Sequence, residues 1–206
     1  MKSLILLGDG GHCSAVADIV RDTAMPVAGV LSKEDDPSTG LVRLGGDEWL
    51  DQPQAREHQF LVAVGQVGVS PLRARLFEAL TVRGLQSATV VAADARCSKQ
   101  SQVGAGTVLM HRTVVGPLAR IGVNCIINTG AIVEHDVVVG DHCHVSTGAI
   151  LNGGVHLGSG VMVGSGAVVL QQVSICDAVV IGAGSVVTRN ITQPGIYVGA
   201  PARKLP

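Results

Sequence analysis

Four of the seven histidines crowd into the stretch from His111 to His144, and one of them, His135, stands between Glu134 and Asp136. An imidazole with its ordinary pKa of about 6.5 is mostly neutral near pH 7 and can take a proton from an attacking group. A carboxylate beside it fixes the tautomer and steadies the imidazolium that forms. The bland alternative is a solvated corner, which is also the reading for His111, His142 and His156 as surface or subunit-interface residues; His58 carries no functional argument. A second chemistry lies upstream in Gly8-Asp9-Gly10-Gly11-His12. Backbone amides of such a loop, at a helix N-terminus, can cradle a phosphate. The dinucleotide fingerprint wants a third glycine where Cys13 stands, and Ser32-Lys33 precedes the acidic run Glu34-Asp35-Asp36. A nucleotide-sugar phosphate or a sugar therefore fits the loop better than a nicotinamide or flavin, with a merely tight turn as the bland alternative.

The elements that must position these groups come from a period of six. Val, Ile or Leu recurs at every sixth position from Val91 to Val187, with Cys97 the exception, and the register runs to Thr192 as seventeen sixes. Glycine often follows, as at Gly104, Gly122, Gly140 and Gly158, and a small or β-branched residue stands four places on, as at Thr107, Ala131 and Ala149. Three sixes make one triangular coil, with equivalent residues eighteen apart and coils about 4.8 Å apart. The prism would be roughly 27 Å tall. Glycine is expected to permit the tight corners. Cys125 and Cys143 occupy small inward slots, which argues against a thiol nucleophile beside His144. A thin solenoid leaves a face to be covered by a partner, so self-association is the default.

Residues 1–84 read as a different object. Residues 3–7, 27–31 and 60–64 are apolar strands; the glycine loop opens a helix through Val16, Ile19 and Val20. Ser70-Pro71 starts a second helix, with Leu72, Leu76 and Leu80 as its stripe and Gly84 as its stop. Alternating strands and helices imply a small, Rossmann-like parallel α/β domain, followed by the repeats over 85–206. The tail GIYVGAPARKL is expected to turn away from the prism, Pro194 and Pro201 ending further strand. A net charge of −1 argues against a nucleic-acid surface, and 2% aromatics suit a thin interior of Val, Ile, Ala and Gly. Mean hydropathy is +0.41, yet polar residues interrupt every apolar run well short of the ~20 residues a membrane span needs. Five cysteines without CxxC spacing read as free thiols of a cytoplasmic protein.

The loop ending in GGH, the small α/β domain and the repeats containing NTGAIVEHDVVVGDHCHVSTGAIL together resemble one family, most specifically over Asn128 to Gly154. It comprises hexapeptide-repeat sugar acyltransferases: bacillosamine-type UDP-amino-sugar N-acetyltransferases, perosamine N-acetyltransferases and sialic acid O-acetyltransferases. The resemblance implies a left-handed parallel β-helix, a homotrimer, and acetyl-CoA lying along the helix between subunits. It implies transfer to a nucleotide-linked amino sugar for a surface glycan, with no metal. By the same resemblance His135 is the base, Asp136 orients it, and Asn128 is a further polar group of the site. His144 and Gly153 face the thioester, while Ser165 and Ala183 follow the coenzyme arm. Gly10, Gly11, His12 and Gly65 touch the sugar nucleotide. Departures stand at Ser32-Lys33 and at Gly65-Gln66-Val67.

Other classes are weighed against this. A sugar hydroxyl competes with the amine as acceptor. A trimeric zinc carbonic anhydrase would need three histidines across an interface, at a spacing this chain does not match. A non-catalytic solenoid is the remaining alternative.

Overall fold

In the computed structural model, residues 2–33, 39–68 and 71–206 are described; the run Glu34-Asp35-Asp36 and the Ser70 cap lie outside them. The small domain holds strands β1 (Leu4–Leu7), β2 (Val27–Leu31), β3 (Arg43–Gly45), β4 (Gln59–Val62) and β5 (Gln86–Ser87), ordered β3-β2-β1-β4-β5 and all parallel. All four residues of β1 are buried, as a strand covered on both faces requires. The sheet runs past residue 84, because Gln86 and Ser87 pair with Gln59 and Phe60. Helix α1 (Gly11–Arg21) buries Cys13, Val16, Ala17, Ile19 and Val20, a helical stripe. Helix α2 (Pro71–Val82) differs from expectation: it buries Leu80 and Arg73, while Leu72 and Leu76 line a cavity at the strand ends. None of the described helices is long and apolar enough to cross a membrane.

From Val90 onward the chain winds as a triangular parallel β-helix. Its first face carries Val90–Val91, Val108–Leu109, Ile126–Ile127, His144–Val145, Met162–Val163 and Val179–Ile181. The second carries Arg96–Cys97 through Val186–Val187, the third Gln102–Val103 through Ser174–Ile175. Paired residues are eighteen apart on every face as far as Val187, as in Val115↔Val133 and Leu157↔Ile175, but the register slips by two at the last turn, where Ile175 pairs with Ile191 and Val179 with Gly195, so the count of six does not run unbroken to Thr192. The every-sixth residues from Leu109 to Val187 form one continuous buried core with Ala119, Cys125, Ala131, Cys143, Ala149 and Ala167. Cys97 is exposed although it holds an inward slot, since it lies in the first coil. The tail does not turn away. Gly195–Val198 adds a parallel strand to the first face beside Val179–Ile181, and Arg203–Lys204 returns antiparallel to close the prism.

The small domain docks on that first face. The outward Val90, Val108 and Ile126, with Met110, share a buried cluster with Val16, Ile19 and Val20 of α1. Phe77 of α2 lies over Gly106, where a Cβ would stand 2.6 Å from its ring, and meets His142 edge-on at 5.7 Å. His142 thus packs into this seam within the chain rather than standing on an open surface. The buried Arg73 guanidinium donates to the carbonyls of Val62 and Val64 at 2.8 and 2.5 Å. Its other amine group donates to Asn124 O and Oδ1 at 3.3 and 2.9 Å, and Asn124 Nδ2 donates back to Arg73 O at 3.1 Å.

The glycines divide into two registers with different causes. Those directly after the apolar residue are not in the left-handed region; they lack a Cβ because the next coil leaves no room. At Gly140 a Cβ would stand 2.6 Å from the carbonyl carbon of Gly158. The left-handed corner lies two residues later, and there Asn124, Asp136 and His142 adopt φ of 53, 59 and 59° beside the glycines. The expectation that the first register serves tight turns is therefore corrected. Gly140→Ala should cost ~3 kcal/mol or more, since backbone must move, whereas Gly148→Ala, with open space and φ of +65°, should cost ~1 kcal/mol. Denaturant midpoints of the two variants check this; equal losses would refute the distinction.

Candidate active site

His135 and Asp136 occupy the corner between the second and third faces. The His135 Nδ1 lies 2.8 Å from Asp136 Oδ2, both side chains being more than half exposed. A carboxylate only accepts, so Nδ1 carries the hydrogen and Nε2 presents its lone pair. The left-handed backbone of Asp136 turns its side chain back toward the ring it follows. One coil on, Gly153 lies under the ring: a Cβ there would sit 2.6 Å from both Cε1 and Nε2. The solenoid repeat thus sets a side-chain-free position beneath the reactive nitrogen.

Asn128 and His144 sit elsewhere, where the first face meets the small domain. His144 is 8% exposed, and its Nδ1 donates to the carbonyl of Gln66 at 2.9 Å. Its Nε2 accepts from Asn128 Nδ2 at 3.2 Å. The Asn128 amide is oriented by its Oδ1, which accepts from Thr129 N at 2.8 Å. Gly65 and Gln66 follow β4, and a Cβ on Gly65 would touch His12 Cβ at 3.4 Å. Gly10 caps α1 without a side-chain bond, and neither it nor Gly11 would have a Cβ neighbour within 4 Å. His12 Nε2 is buried with no partner among the described residues. Ser165 and Ala183 are exposed on the corner between the first and second faces. The expected site residues therefore fall in three groups. His135, Asp136 and Gly153 share one edge, and Ser165 and Ala183 share the next, with the second face between them. Asn128, His144, His12 and Gly65 lie at the interdomain seam.

Sequence reading missed Arg73 and Asn124, both buried, named Gln66 only as a departure from the family pattern, and missed the cavity of about 600 Å³ at the ends of β1, β2 and β4. Gly8, Asp9, Lys33, Asp47 and Arg75 supply its polar lining. A signal for Arg73 existed: it precedes Phe77 and Leu80 by four and seven residues, the phase of a buried helical face. Among the described residues no group of three or more His, Cys, Asp or Glu is arranged to hold a metal ion.

Burial dominates the electrostatics of the seam. It pushes the His12 pKa down to about 4, helped by the Arg73 and His144 charges. Burial likewise lowers His142 and His144, with Arg73 adding to both and the acidic Asp141 and Glu78 opposing at His142. Each ring's folded pKa thus lies below its unfolded value near 6.5, so the unfolded chain binds more protons. Unfolding therefore takes up protons below pH 6.5, and stability falls as pH drops from there toward 4. Urea midpoints at pH 7.5 and 5 should differ accordingly; an unchanged or higher midpoint at pH 5 would sink this account.

The family described as PglD N-terminal domain matches residues 3–80, and bacterial transferase hexapeptide repeats match residues 154–189. Among solved structures, PerB from Caulobacter crescentus, in complex with CoA and GDP-perosamine, is 30% identical over 100% of this chain and 98% of its own, with a TM-score of 0.91. The acetyltransferase domain of PglB from Neisseria gonorrhoeae is 27% identical over 100% of both chains, also at 0.91. The same domain is known in complex with acetyl coenzyme A, at 28% identity over 99% of both chains and a TM-score of 0.92. No curated sequence matches the chain. A PglD-type α/β domain leading into a left-handed β-helix, with this likeness over its whole length, makes the chain an acyltransferase of the hexapeptide-repeat sugar acetyltransferase family.

Proposed function

We propose that the enzyme moves an acetyl group from acetyl-CoA to the amine of a nucleotide-linked amino sugar destined for a surface glycan, with His135 as general base. The observation that carries this is the His135–Asp136 bond of 2.8 Å, which leaves Nε2 unencumbered over Gly153. The amine attacks the thioester carbonyl carbon while Nε2 takes its proton, and Asp136 steadies the imidazolium. The Gly153 amide faces the tetrahedral oxyanion; such a donor contributes about 3 kcal/mol. Collapse of the intermediate breaks the carbon–sulfur bond, and the departing thiolate takes the proton back from His135. No covalent acyl-enzyme forms; Cys143 is buried with its Sγ directed to Gly158 O. Among the relatives, PerB with CoA and GDP-perosamine supports both the donor and a nucleotide amino sugar as acceptor.

The acceptor's nucleotide fits the strand-end cavity, which opens where the strand order reverses between β1 and β4. Its apolar walls, Leu31, Leu72 and Leu76, suit a base, and Lys33 and Arg75 suit phosphates. Gly10, Gly11 and His12 border the path from there to the sugar, with Asn128 and His144 bounding it on the solenoid side. The protein acts as a homotrimer. Outward on the second face stand Val114, Ile132, Ile150, Val168 and Val186, an aliphatic column that stays at least partly exposed. A second copy against that column would bring its Ser165 and Ala183 edge beside His135, so that the acetyl-CoA arm runs between subunits. Five free cysteines support a cytoplasmic setting.

His135→Ala should lower the acetylation rate by about 10²–10⁴ with folding intact. Mass spectrometry after incubation with acetyl-CoA and a panel of nucleotide amino sugars and sialic-acid-like sugars reads the acceptor. Product on a hydroxyl would replace the amine assignment, and an unimpaired His135→Ala would remove the base. Sedimentation showing only a single-chain species would contradict the shared site.

A further inference from the structure

Charge is segregated along the prism. The first two coils, Val90 to Cys125, carry Arg96, Lys99, Arg112 and Arg120 against one acid, Asp94. From Ile121 to Thr188 the solenoid holds no lysine or arginine, only Glu134, Asp136, Asp141 and Asp177. All four cations are exposed, and none forms an ion pair among the described residues. Asp94 is engaged by His111 Nδ1 at 2.8 Å, and His111 Nε2 faces Asp18 of α1 at 3.8 Å, so the acids at this end are drawn to the side of the small domain. At the spacing of the coils the four cations lie within roughly 10 Å of the end of the prism. That end is also open. The far end is closed by the Arg203–Lys204 hairpin, whereas Val90–Val91, Arg96–Cys97 and Gln102–Val103 are the terminal strands of their sheets. Val91 and Cys97, both in inward slots, are exposed, and Leu118 beside Arg120 is 56% exposed.

We propose that this open end docks on an anionic membrane surface, with Lys99, Arg112 and Arg120 as its electrostatic contacts and Leu118 as an apolar one. It rests on the homotrimer reading above for its valency alone. Cyclic symmetry turns the three open ends the same way, so a single plane meets all three sets of cations. Contacts linked in this way multiply. Arg96 heads the aliphatic column given to the subunit contact and is left out of the count. Long basic side chains reach past the end of the prism while their stems stay on it, and the headgroup region accommodates cations and aliphatic groups together. Shape decides between a bilayer and an elongated polyanion. A nucleic acid lying down the side of the prism would meet Glu134, Asp136 and Asp141, which repel it, whereas a plane touches only the basic end. The bland alternative is that cations beside open strand edges keep copies from stacking end to end. That role leaves the exposed Leu118 on the same rim without a purpose.

Co-sedimentation with vesicles tests this. Vesicles of about 30% phosphatidylglycerol in phosphatidylcholine are compared with pure phosphatidylcholine, at about 0.05 M and about 0.5 M salt. The proteins are the full-length parent, the Lys99→Gln/Arg112→Gln/Arg120→Gln variant and, at the far end, the Arg203→Gln/Lys204→Gln variant. The parent should bind the anionic vesicles at low salt, leave them at high salt and ignore pure phosphatidylcholine. Each charge removed from one chain should weaken partitioning about fivefold, so the triple variant should lose about 10² or more. Its acetylation rate and its sedimentation coefficient in free solution should match the parent's, and the far-end variant should bind as the parent does. A parent that ignores anionic vesicles, or binds pure phosphatidylcholine equally, overturns the inference, as does a triple variant that binds undiminished. Tighter binding of the parent to duplex DNA than to vesicles would give the end to a nucleic acid instead. Longer assemblies of the triple variant, with a parent that ignores vesicles, would leave the cations only the role of preventing stacking. A parent that sediments as a single chain yet binds the anionic vesicles removes the homotrimer and supports the surface, so the two readings fail separately.

Discussion

One buried cation joins the two halves of this enzyme. The Arg73 guanidinium is nearly inaccessible and has no carboxylate partner among the described residues. Burial lowers its pKa to about 10, so it remains charged at neutral pH. Such a charge is tolerable only where carbonyl oxygens replace its hydration, and here they come from both domains: Val62 and Val64 at the end of β4, and Asn124 at a solenoid corner. Removing the partner oxygens would strand the charge, at a cost of several kcal/mol. The small domain is therefore held at one height on the prism, and the loop after β4 is held with it.

That height is what makes the interdomain seam specific. Gln66 can accept from His144 only because Val64 is fixed two residues earlier, and His144 in turn fixes Asn128. The apolar packing of Ile126 and Val108 on α1 supplies most of the affinity between domains but would tolerate sliding. The hydrogen bonds do not, since each weakens steeply when its distance or angle is spoiled. Apolar burial holds the halves together; directional polar bonds choose the register.

The prism itself works as a ruler. Its step is set by backbone hydrogen bonding between coils, and the crowding at Gly104, Gly122 and Gly140 shows how little slack it has. A residue eighteen places from His135 must lie directly beneath it. This explains why Gly153 seats the imidazole and why corner residues such as Asp136 take up left-handed backbone, which Asn, Asp and His tolerate better than other residues with a Cβ. Side-chain roles along the edges follow from counting, with no long loop needed to bring them together.

Periodicity alone was enough to mark the solenoid and the buried slots of Cys125 and Cys143, because those relations repeat at constant spacing, while the contact of His135 with Asp136 followed from their being neighbours in the chain. It also marked α1 and the glycine loop, whose signals lie within one turn of helix. It could not reveal that Cys97 is exposed in the first coil, that the tail continues the first face, or that His142 is covered by Phe77. Nor could it tell the two glycine registers apart, or find Arg73 at the seam. Those outcomes depend on which surface another part of the chain happens to cover, and a hydrophobic pattern records the tendency to be buried without naming the partner. Pairings between residues fifty or more positions apart, such as Arg73 with Asn124, carry no spacing signature at all and are decided only when the two domains meet.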